Sequence, residues 1–162
     1  MAKVLVISDT HIPKVGDSLP REVLEAAREA DLVLHAGDLV EMRVLEELRA
    51  LAPVHAVAGN MDLPEVSSVL PQQVTVEVEG KLIGLTHGSG PPMGIERRVL
   101  SRFSGVDAVV FGHTHRACME ERKGVLLLNP GTPTDRRFSD RLSYLLLTIE
   151  DGAIKPSIVW LD

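Results

Sequence analysis

The sequence predicts an α/β protein in which two sheets pack face to face and helices cover their outer sides. Strand and helix patterns alternate through the first half of the chain, and the second half contains mostly strand patterns. So many strands within 162 residues need two packed sheets. The length and the lack of a linker-like segment predict one domain over residues 1–162.

The first half repeats strand and helix patterns, which favours a mostly parallel sheet. Residues 3–8 are apolar and β-branched, as in a buried strand. Residues 19–30 have apolar side chains at helical spacing, Ser18 is a candidate N-cap, and Pro20 suits the first turn. The other elements predicted here are a helix at 40–51 and strands at 32–36 and 54–58.

The second half is predicted to contain a hairpin, a helix and further strands. Residues 73–78 alternate in polarity, residues 81–86 are apolar, and Glu79-Gly80 can form the turn between them. The helix covers residues 95–103 and follows Gly94. The further strands are predicted at 108–111, 117–122, 125–129, 143–149 and 153–160.

Side chains that bind hard or borderline metal ions follow the predicted strands. They are Asp9, His11, Asp38, Asn60, His87, His113 and His115, and Asn129-Pro130-Gly131 closes the series. In open α/β sheets, ligands bind beyond the carboxyl ends of the strands, so we expect these side chains to converge. Seven donors are about what two divalent ions need if one carboxylate bridges them.

Each motif alone has an ordinary structural explanation. A Gly-Asp or Gly-Asn pair after a strand is usually a turn, and the pairs Asp9/His11 and His113/His115 show only that extended segments could carry both members on one side. The complete ordered set, each member at a strand end, indicates a metal centre. His35 and His55 lie within predicted strands and are expected to be structural or surface residues, although His35 could orient a ligand.

Composition limits the classes of function. The net charge of -6 argues against broad attraction to nucleic acid, although two divalent ions would add about four positive charges at one point. Aromatic residues form 3% of the chain, which argues against platforms for stacked bases. The lone Cys118 cannot form an internal disulfide.

The sequence also predicts that the protein does not enter a membrane. No apolar run approaches the roughly 18 residues of a membrane span. The apolar N-terminal segment ends at Ser8-Asp9, which is too early for a signal peptide. We therefore expect a cytoplasmic protein.

The ordered donor motifs resemble those of the calcineurin-like metallophosphoesterase superfamily. The motifs are Asp9-x-His11, Gly37-Asp38, Gly59-Asn60, His87-Gly88 and Gly112-His113-x-His115. The short length and the closing Asn129-Pro130-Gly131-Thr132 resemble the small prokaryotic phosphodiesterase branch. This resemblance implies a four-layer α/β fold, a β-sandwich of two mixed sheets flanked by helices.

The resemblance also implies ligand roles and an activity. One metal ion is expected at Asp9, His11, Asp38 and His115. A second is expected at Asp38, Asn60, His87 and His113, with Asp38 bridging. A hydroxide shared by the two ions would attack the phosphorus of a small-molecule phosphodiester, with Asp38, Asn60 and His87 as catalytic residues. Oxygen and nitrogen donors without a thiolate favour Mn²⁺, with Ni²⁺, Fe, Co²⁺ or Zn²⁺ as alternatives.

One position departs from the pattern of many family members. Met61 follows the motif asparagine where many members have a histidine that assists the leaving group. General acid catalysis contributes roughly 10²–10⁴-fold, so we expect slow hydrolysis of esters with poor leaving groups. Asp62 is either a substitute acid or a residue that stabilises the loop.

Loops around the donors are expected to border the substrate pocket. They are residues 12–17, with Lys14, and residues 88–92. Arg136 and Arg137 are expected either to contact an anion or to form an ion pair within the protein.

Two other functions remain open at this point. The alternative to an enzyme is a non-catalytic metal-binding scaffold or protein-interaction module on the same fold, since one eukaryotic relative of this branch serves in assembly. A nuclease is not expected, because the chain is acidic and has no basic stripe.

A homo-oligomer, either dimer or tetramer, is compatible with the apolar helix faces and the late strands.

Overall fold

Strands form two five-stranded sheets in the computed structural model, which describes residues 1–14 and 16–161. The first sheet contains β1 (Ala2–Ile7), β2 (Leu32–His35), β3 (Val54–Ala56), β9 (Leu142–Glu150) and β10 (Ala153–Leu161). The second contains β4 (Gln73–Val78), β5 (Lys81–Thr86), β6 (Ala108–Val110), β7 (Ala117–Arg122) and β8 (Val125–Pro130). Their orders are β10-β9-β1-β2-β3 and β4-β5-β6-β8-β7.

Both sheets are mixed. In the first, β1, β2 and β3 run parallel, and β9 and β10 add antiparallel strands beside β1. In the second, β5, β6 and β8 run parallel between the antiparallel edge strands β4 and β7. The predicted sandwich of two mixed sheets is therefore confirmed.

The helices are short and lie in the connections between strands. They are α1 (Arg21–Glu29), α2 (Met42–Arg49), α3 (Pro64–Ser67) and α4 (Ile95–Leu100). The prediction of Ser18 as a cap was wrong, because Pro20 occupies the N-cap position and its carbonyl accepts from the amides of Val23 and Leu24. Across the described residues, no helix is long and apolar enough to cross a membrane.

Alternate side chains of β1 enter two separate apolar clusters, as the two-residue period of a strand requires. Leu5 and Ile7 pack with α1 and α2 on the outer face of the first sheet. Val4 and Val6 pack between the two sheets. A third cluster lies under α4, where Ile95 contacts the second sheet. These clusters define four layers, with helices outside both sheets.

Three parallel strands end early, and this lengthens the loops that carry the donors. The sequence predicted strands at 32–36, 54–58 and 108–111, but β2, β3 and β6 stop at His35, Ala56 and Val110. Backbone hydrogen bonds such as Asp9 N–H to Gly37 O then connect the loops to one another. The predicted donors therefore lie on interlocked loops beyond the strand ends.

Candidate metal centre

Asp9 lies in a buried group of donors formed by the loops after β1 and β6. Its Oδ1 atom is 3.7 Å from His11 Nε2 and 3.3 Å from His115 Nε2. One donor atom from each of these residues lies within 4.8 Å of the other two. All three side chains are buried, so the group could enclose one cation.

Asp38 lies between this group and a second one. Its Oδ2 atom is 3.6 Å from His11 Nε2 and 3.1 Å from His87 Nε2. His87 Nε2 also lies 3.1 Å from Asn60 Oδ1, and the His87 and His113 ring centroids are 5.3 Å apart. The seven predicted donors thus converge, and the Asp38 carboxylate occupies the position between the two groups.

Buried donor atoms of the first group have no hydrogen-bond partner among the described residues. They are Asp9 Oδ1, both ring nitrogens of His11, and His115 Nδ1. Leaving a buried polar atom unpaired costs free energy, and such atoms are rare in folded proteins. A divalent cation would provide the missing interaction at Asp9 and His11, so the donor set fits a metal ion.

The backbone around the donors has an unusual conformation. Residues with φ in the left-handed region include Asp9 (56°), His11 (46°), Asp38 (59°), His113 (73°) and His115 (63°). Non-glycine residues rarely adopt this region, and such strain is concentrated at functional sites. At both two-residue pairs the backbone of each donor residue is thus left-handed and not extended, as the sequence suggested it would be.

Two backbone carbonyls orient histidine rings of the second group. His87 Nδ1 lies 2.7 Å from Ala36 O, and His113 Nε2 lies 2.9 Å from Gly90 O. A carbonyl oxygen only accepts, so each of these nitrogens carries a proton. The opposite nitrogen of each ring is the one that could bind a cation.

The Asp135 carboxylate faces His115, and the sequence did not indicate it. This fully buried carboxylate has Oδ2 3.6 Å from His115 Nδ1. Arg137 donates to it through Nε at 2.9 Å and Nη2 at 2.7 Å. Arg137 was expected either to contact an anion or to form an ion pair within the protein, and the structure contains the ion pair. No spacing rule singles out this aspartate, because it follows a Thr-rich turn with no repeat of the donor pattern.

Burial and ion pairing act in opposite directions on the charges of the centre. Burial raises the pKa of Asp9, but His87, His11 and His115 together hold that pKa well below the usual range of a carboxyl. Burial lowers the pKa of His87, but the Asp9 and Asp38 carboxylates outweigh this and raise it to about 9. A metal ion that binds at His87 Nε2 would therefore displace a proton.

Glycines allow the loops to approach the carboxylates. A Cβ atom on Gly112 would overlap the Ser8 hydroxyl and the Asp9 carboxylate. A Cβ atom on Gly59 would overlap the Asp38 carboxylate. Only glycine fits at these two points unless the carboxylates move.

Of three other candidate residues, two have structural contacts and the third is exposed. Asp62 accepts from the amides of Asp38, Val40 and Gly59, at 3.1, 2.6 and 2.7 Å, and so stabilises the loops. Buried His35 lies 3.1 Å from Thr10 Oγ1 and accepts from the Gly37 amide, whereas His55 is exposed.

Asn129 is also a structural residue. Its Nδ2 donates to Gly112 O and Thr114 Oγ1, and its Oδ1 accepts from the Gly131 amide. The residue that closes the donor series therefore stabilises the loop after β6.

A cavity of about 980 Å³ opens over the donors. His11, Asp38, Asn60, His113 and His115 line it at the centre. Other residues that line it are Met61, Pro92, Arg116, Arg136, Arg137 and Phe138. Of the predicted bordering segments, residues 88–92 contribute Pro92, whereas exposed Lys14 lies outside the described lining.

The fold of two mixed sheets and the cluster of carboxylate and imidazole donors are features of the metallophosphoesterase class. Residues 2–152 match the family model of the calcineurin-like phosphoesterase superfamily domain. The chain belongs to this superfamily, as the motif resemblance predicted.

Individual relatives cover nearly the whole chain. A probable metallophosphoesterase of Methanothermobacter thermautotrophicus is 40% identical over 95% of this chain and 90% of its own. A phosphodiesterase of Methanocaldococcus jannaschii is 30% identical over 80% of this chain and 82% of its own. Among solved structures, wild-type Vps29 of Entamoeba histolytica complexed with Zn²⁺ is 29% identical, with a TM-score of 0.73 and 98% coverage of both chains.

Proposed function

We propose that this protein is a dinuclear metal-dependent phosphoesterase that hydrolyses phosphodiester bonds. The observation that carries the proposal is the convergence of donors on either side of the Asp38 carboxylate, with buried atoms that lack hydrogen-bond partners in the Asp9 group. The superfamily membership and the phosphodiesterase relative support the same reaction class.

We propose two sets of ligands that share Asp38. Asp9, His11, Asp38 and His115 would hold one divalent ion. Asp38, Asn60, His87 and His113 would hold the other. Donors of this type without a thiolate suit Mn²⁺ as the proposed metal, with Ni²⁺, Fe, Co²⁺ or Zn²⁺ as alternatives.

The residues of the chain prepare the site for in-line hydrolysis. When bound, a pair of divalent ions lowers the pKa of water and neutralises phosphoryl oxygens. The carbonyl of Ala36 fixes His87 so that its Nε2 faces Asp38 and Asn60, two further residues that we propose as catalytic. Asp62 holds the amide of Asp38 and so fixes the loop that carries the shared carboxylate.

Among the described residues of the loop after β3, no proton donor replaces the histidine that many family members have after the motif asparagine. Met61 lines the cavity at this position and cannot carry a proton. The Asp62 carboxylate is occupied by backbone amides. We therefore expect fast turnover only with esters whose leaving group needs no protonation.

A substrate comparison across metals tests the proposal. Bis(p-nitrophenyl) phosphate, p-nitrophenyl phosphate and cyclic nucleotides are assayed after removal of metal and reconstitution with Mn²⁺, Ni²⁺, Co²⁺ or Zn²⁺. We expect metal-dependent hydrolysis with a preference for the diester. Undiminished diester hydrolysis by the Asp38→Asn variant would contradict the proposal.

A protein-interaction module is the second candidate function. It is favoured by the likeness to Vps29, a vacuolar protein sorting protein. In this case the donors would bind metal without turnover. Purified protein with two equivalents of metal and no activity on any ester in the comparison would support this candidate over the enzyme.

Several sequence predictions accompany the proposal. We propose a small-molecule phosphoester as the partner and the cytoplasm as the location, with one domain over residues 1–162. A dimer or tetramer also stays a prediction, and light scattering on the purified protein measures it.

A further inference from the structure

Phe138 is an exposed aromatic residue beside the metal centre. Its side chain is 65% exposed, whereas Phe111 is fully buried and Phe103 packs in the cluster under α4. The chain has only three phenylalanines, and Phe138 alone of them lines the cavity over the donors in the part of the chain that the structure describes.

The ring of Phe138 is held in place although it is exposed. Its centroid lies 5.3 Å from that of His115, and the two rings are nearly perpendicular, at 82°. The ring also contacts Arg137, whose guanidinium carbon lies 5.6 Å from the Phe138 centroid. Arg137 is itself fixed by its hydrogen bonds to buried Asp135. A ring that is already ordered loses little conformational freedom when it binds a ligand.

The cavity beside this ring is larger than a phosphate group needs. Its volume of about 980 Å³ is that of a site for a complete small molecule. The exposed Met61 and Pro92 add apolar surface to the lining of the same cavity. Arg116 and Arg136 add positive charge to the lining of a protein whose net charge is -6.

We propose that Phe138 stacks on a planar ring in one ester group of the substrate, so that the substrate is a phosphodiester of nucleoside size. Arg116 and Arg136 would face anionic groups of the same molecule. This inference rests on the proposed phosphodiesterase function and adds the class of the ester group. One exposed aromatic ring in the described cavity lining suits one base-sized group and not a nucleic acid strand, in agreement with the low aromatic content.

Two substrates with the same leaving group isolate the contribution of the ring. One is the p-nitrophenyl ester of thymidine monophosphate, and the other is methyl p-nitrophenyl phosphate. We expect kcat/KM of the unmodified protein to be about tenfold higher for the thymidine ester, from stacking of one base. Phe138→Leu keeps the apolar side chain without the ring, and should lose this preference through a higher KM with kcat retained.

Matched variants separate stacking from damage to the centre. Phe138→Tyr should retain the preference, and so should Trp160→Ala, which removes an exposed aromatic residue of β10 outside the lining of the cavity. Metal content is measured for each variant because Phe138 contacts His115. A Phe138→Leu variant with full metal content and an unchanged preference would overturn the inference.

Failure of the proposed function has a different signature. If the unmodified protein turns over neither ester with any metal, the phosphodiesterase proposal fails. The inference is then tested by calorimetric binding of thymidine monophosphate and inorganic phosphate to the metal-loaded protein. Tighter binding of the nucleotide that Phe138→Leu abolishes supports the stacking site, and equal binding in both proteins overturns it.

Discussion

The two halves of the metal centre differ in burial and in the partners of their donors. In the first half, Asp9, His11 and His115 are at most 5% exposed and carry buried atoms without hydrogen-bond partners. In the second half, Asn60 is exposed and His113 is half-buried. Donors of the second half have partners within the protein, such as Asn60 Oδ1 at 3.1 Å from His87 Nε2.

This difference indicates unequal affinities for the two ions. A donor that is fixed, buried and unpaired gains most from a cation, because no protein interaction is given up. A donor on an exposed loop remains accessible to solvent and to substrate. We therefore expect the buried half to bind the first ion and the open half to bind a second ion more weakly.

Removal of the shared carboxylate should have the largest effect. Asp38→Ala takes a ligand from both halves, so we expect loss of both ions and a decrease of more than about a hundredfold in kcat/KM for the aryl diester. Metal analysis and the diester assay measure the two effects. The exposed Glu121→Ala variant is the control for loss of a carboxylate elsewhere.

Single-half variants test the inequality itself. Asn60→Ala should retain one equivalent of tightly bound Mn²⁺, because the buried donors are intact. Asp9→Asn should lose the tight equivalent, because it removes the charge of a carboxylate whose Oδ1 lies between two other donors. This atom has no hydrogen-bond partner and is 3.3 Å from His115 Nε2 and 3.7 Å from His11 Nε2. Calorimetric titration distinguishes these outcomes, and equal loss in both variants would show that the halves do not differ.

Asp135 should affect only the buried half. Asp135→Asn removes the charge that faces His115 Nδ1, and residues in this position typically contribute 10–100-fold to metal affinity. We expect a decrease of about that size for the first ion and little change for the second. Competition with a fluorescent chelator measures both constants, and a change confined to the second ion would contradict the assignment.

Close packing around the buried half predicts a stability effect. Gly112→Ala places a Cβ atom against Ser8 and Asp9, which should lower the free energy of unfolding by roughly 1–3 kcal/mol. Gly16→Ala is the matched control, because no atom lies within 4 Å of its added Cβ among the described residues. Urea unfolding of the metal-free proteins measures both, and equal stability of the two variants would refute the packing argument.

A neutral histidine beneath the buried half predicts a smaller, pH-dependent effect. Burial lowers the pKa of His35 from 6.5 to about 4. Between these values the unfolded chain binds more protons than the folded one, so the free energy of unfolding should decrease as pH falls from 6.5 to 4. His35→Gln should weaken this decrease in metal-free protein, as measured by unfolding at several pH values. An identical pH dependence in both proteins would show that His35 does not contribute.

The sheets and the converging donors could be predicted from the sequence, because both depend on patterns that survive in one dimension. Apolar alternation identified the hairpin of β4 and β5, and motif order identified the superfamily. Helix α3 was missed, since its four residues are too few for a helical period. The helices predicted at 19–30, 40–51 and 95–103 and the strands predicted at 32–36, 54–58 and 108–111 were too long. Backbone caps and glycine turns, such as that at Gly37, end such elements earlier.

The supporting residues of the site could not be predicted, because their roles depend on contacts across the fold. Asp135 reaches His115 only after the loop beyond β8 folds over the loop beyond β6. The left-handed conformations of the donor residues come from loop-to-loop hydrogen bonds such as His11 N–H to Asp38 O. Phe138 belongs to no motif, and beside the cavity its ring contacts His115 and Arg137.

Anomalous diffraction from crystals soaked in Mn²⁺ tests the central claim most directly. We expect two peaks, one on either side of the Asp38 carboxylate. One peak should lie among Asp9, His11 and His115, and the weaker one among Asn60, His87 and His113. A single peak at saturating Mn²⁺, or two peaks that do not share Asp38, would contradict the account.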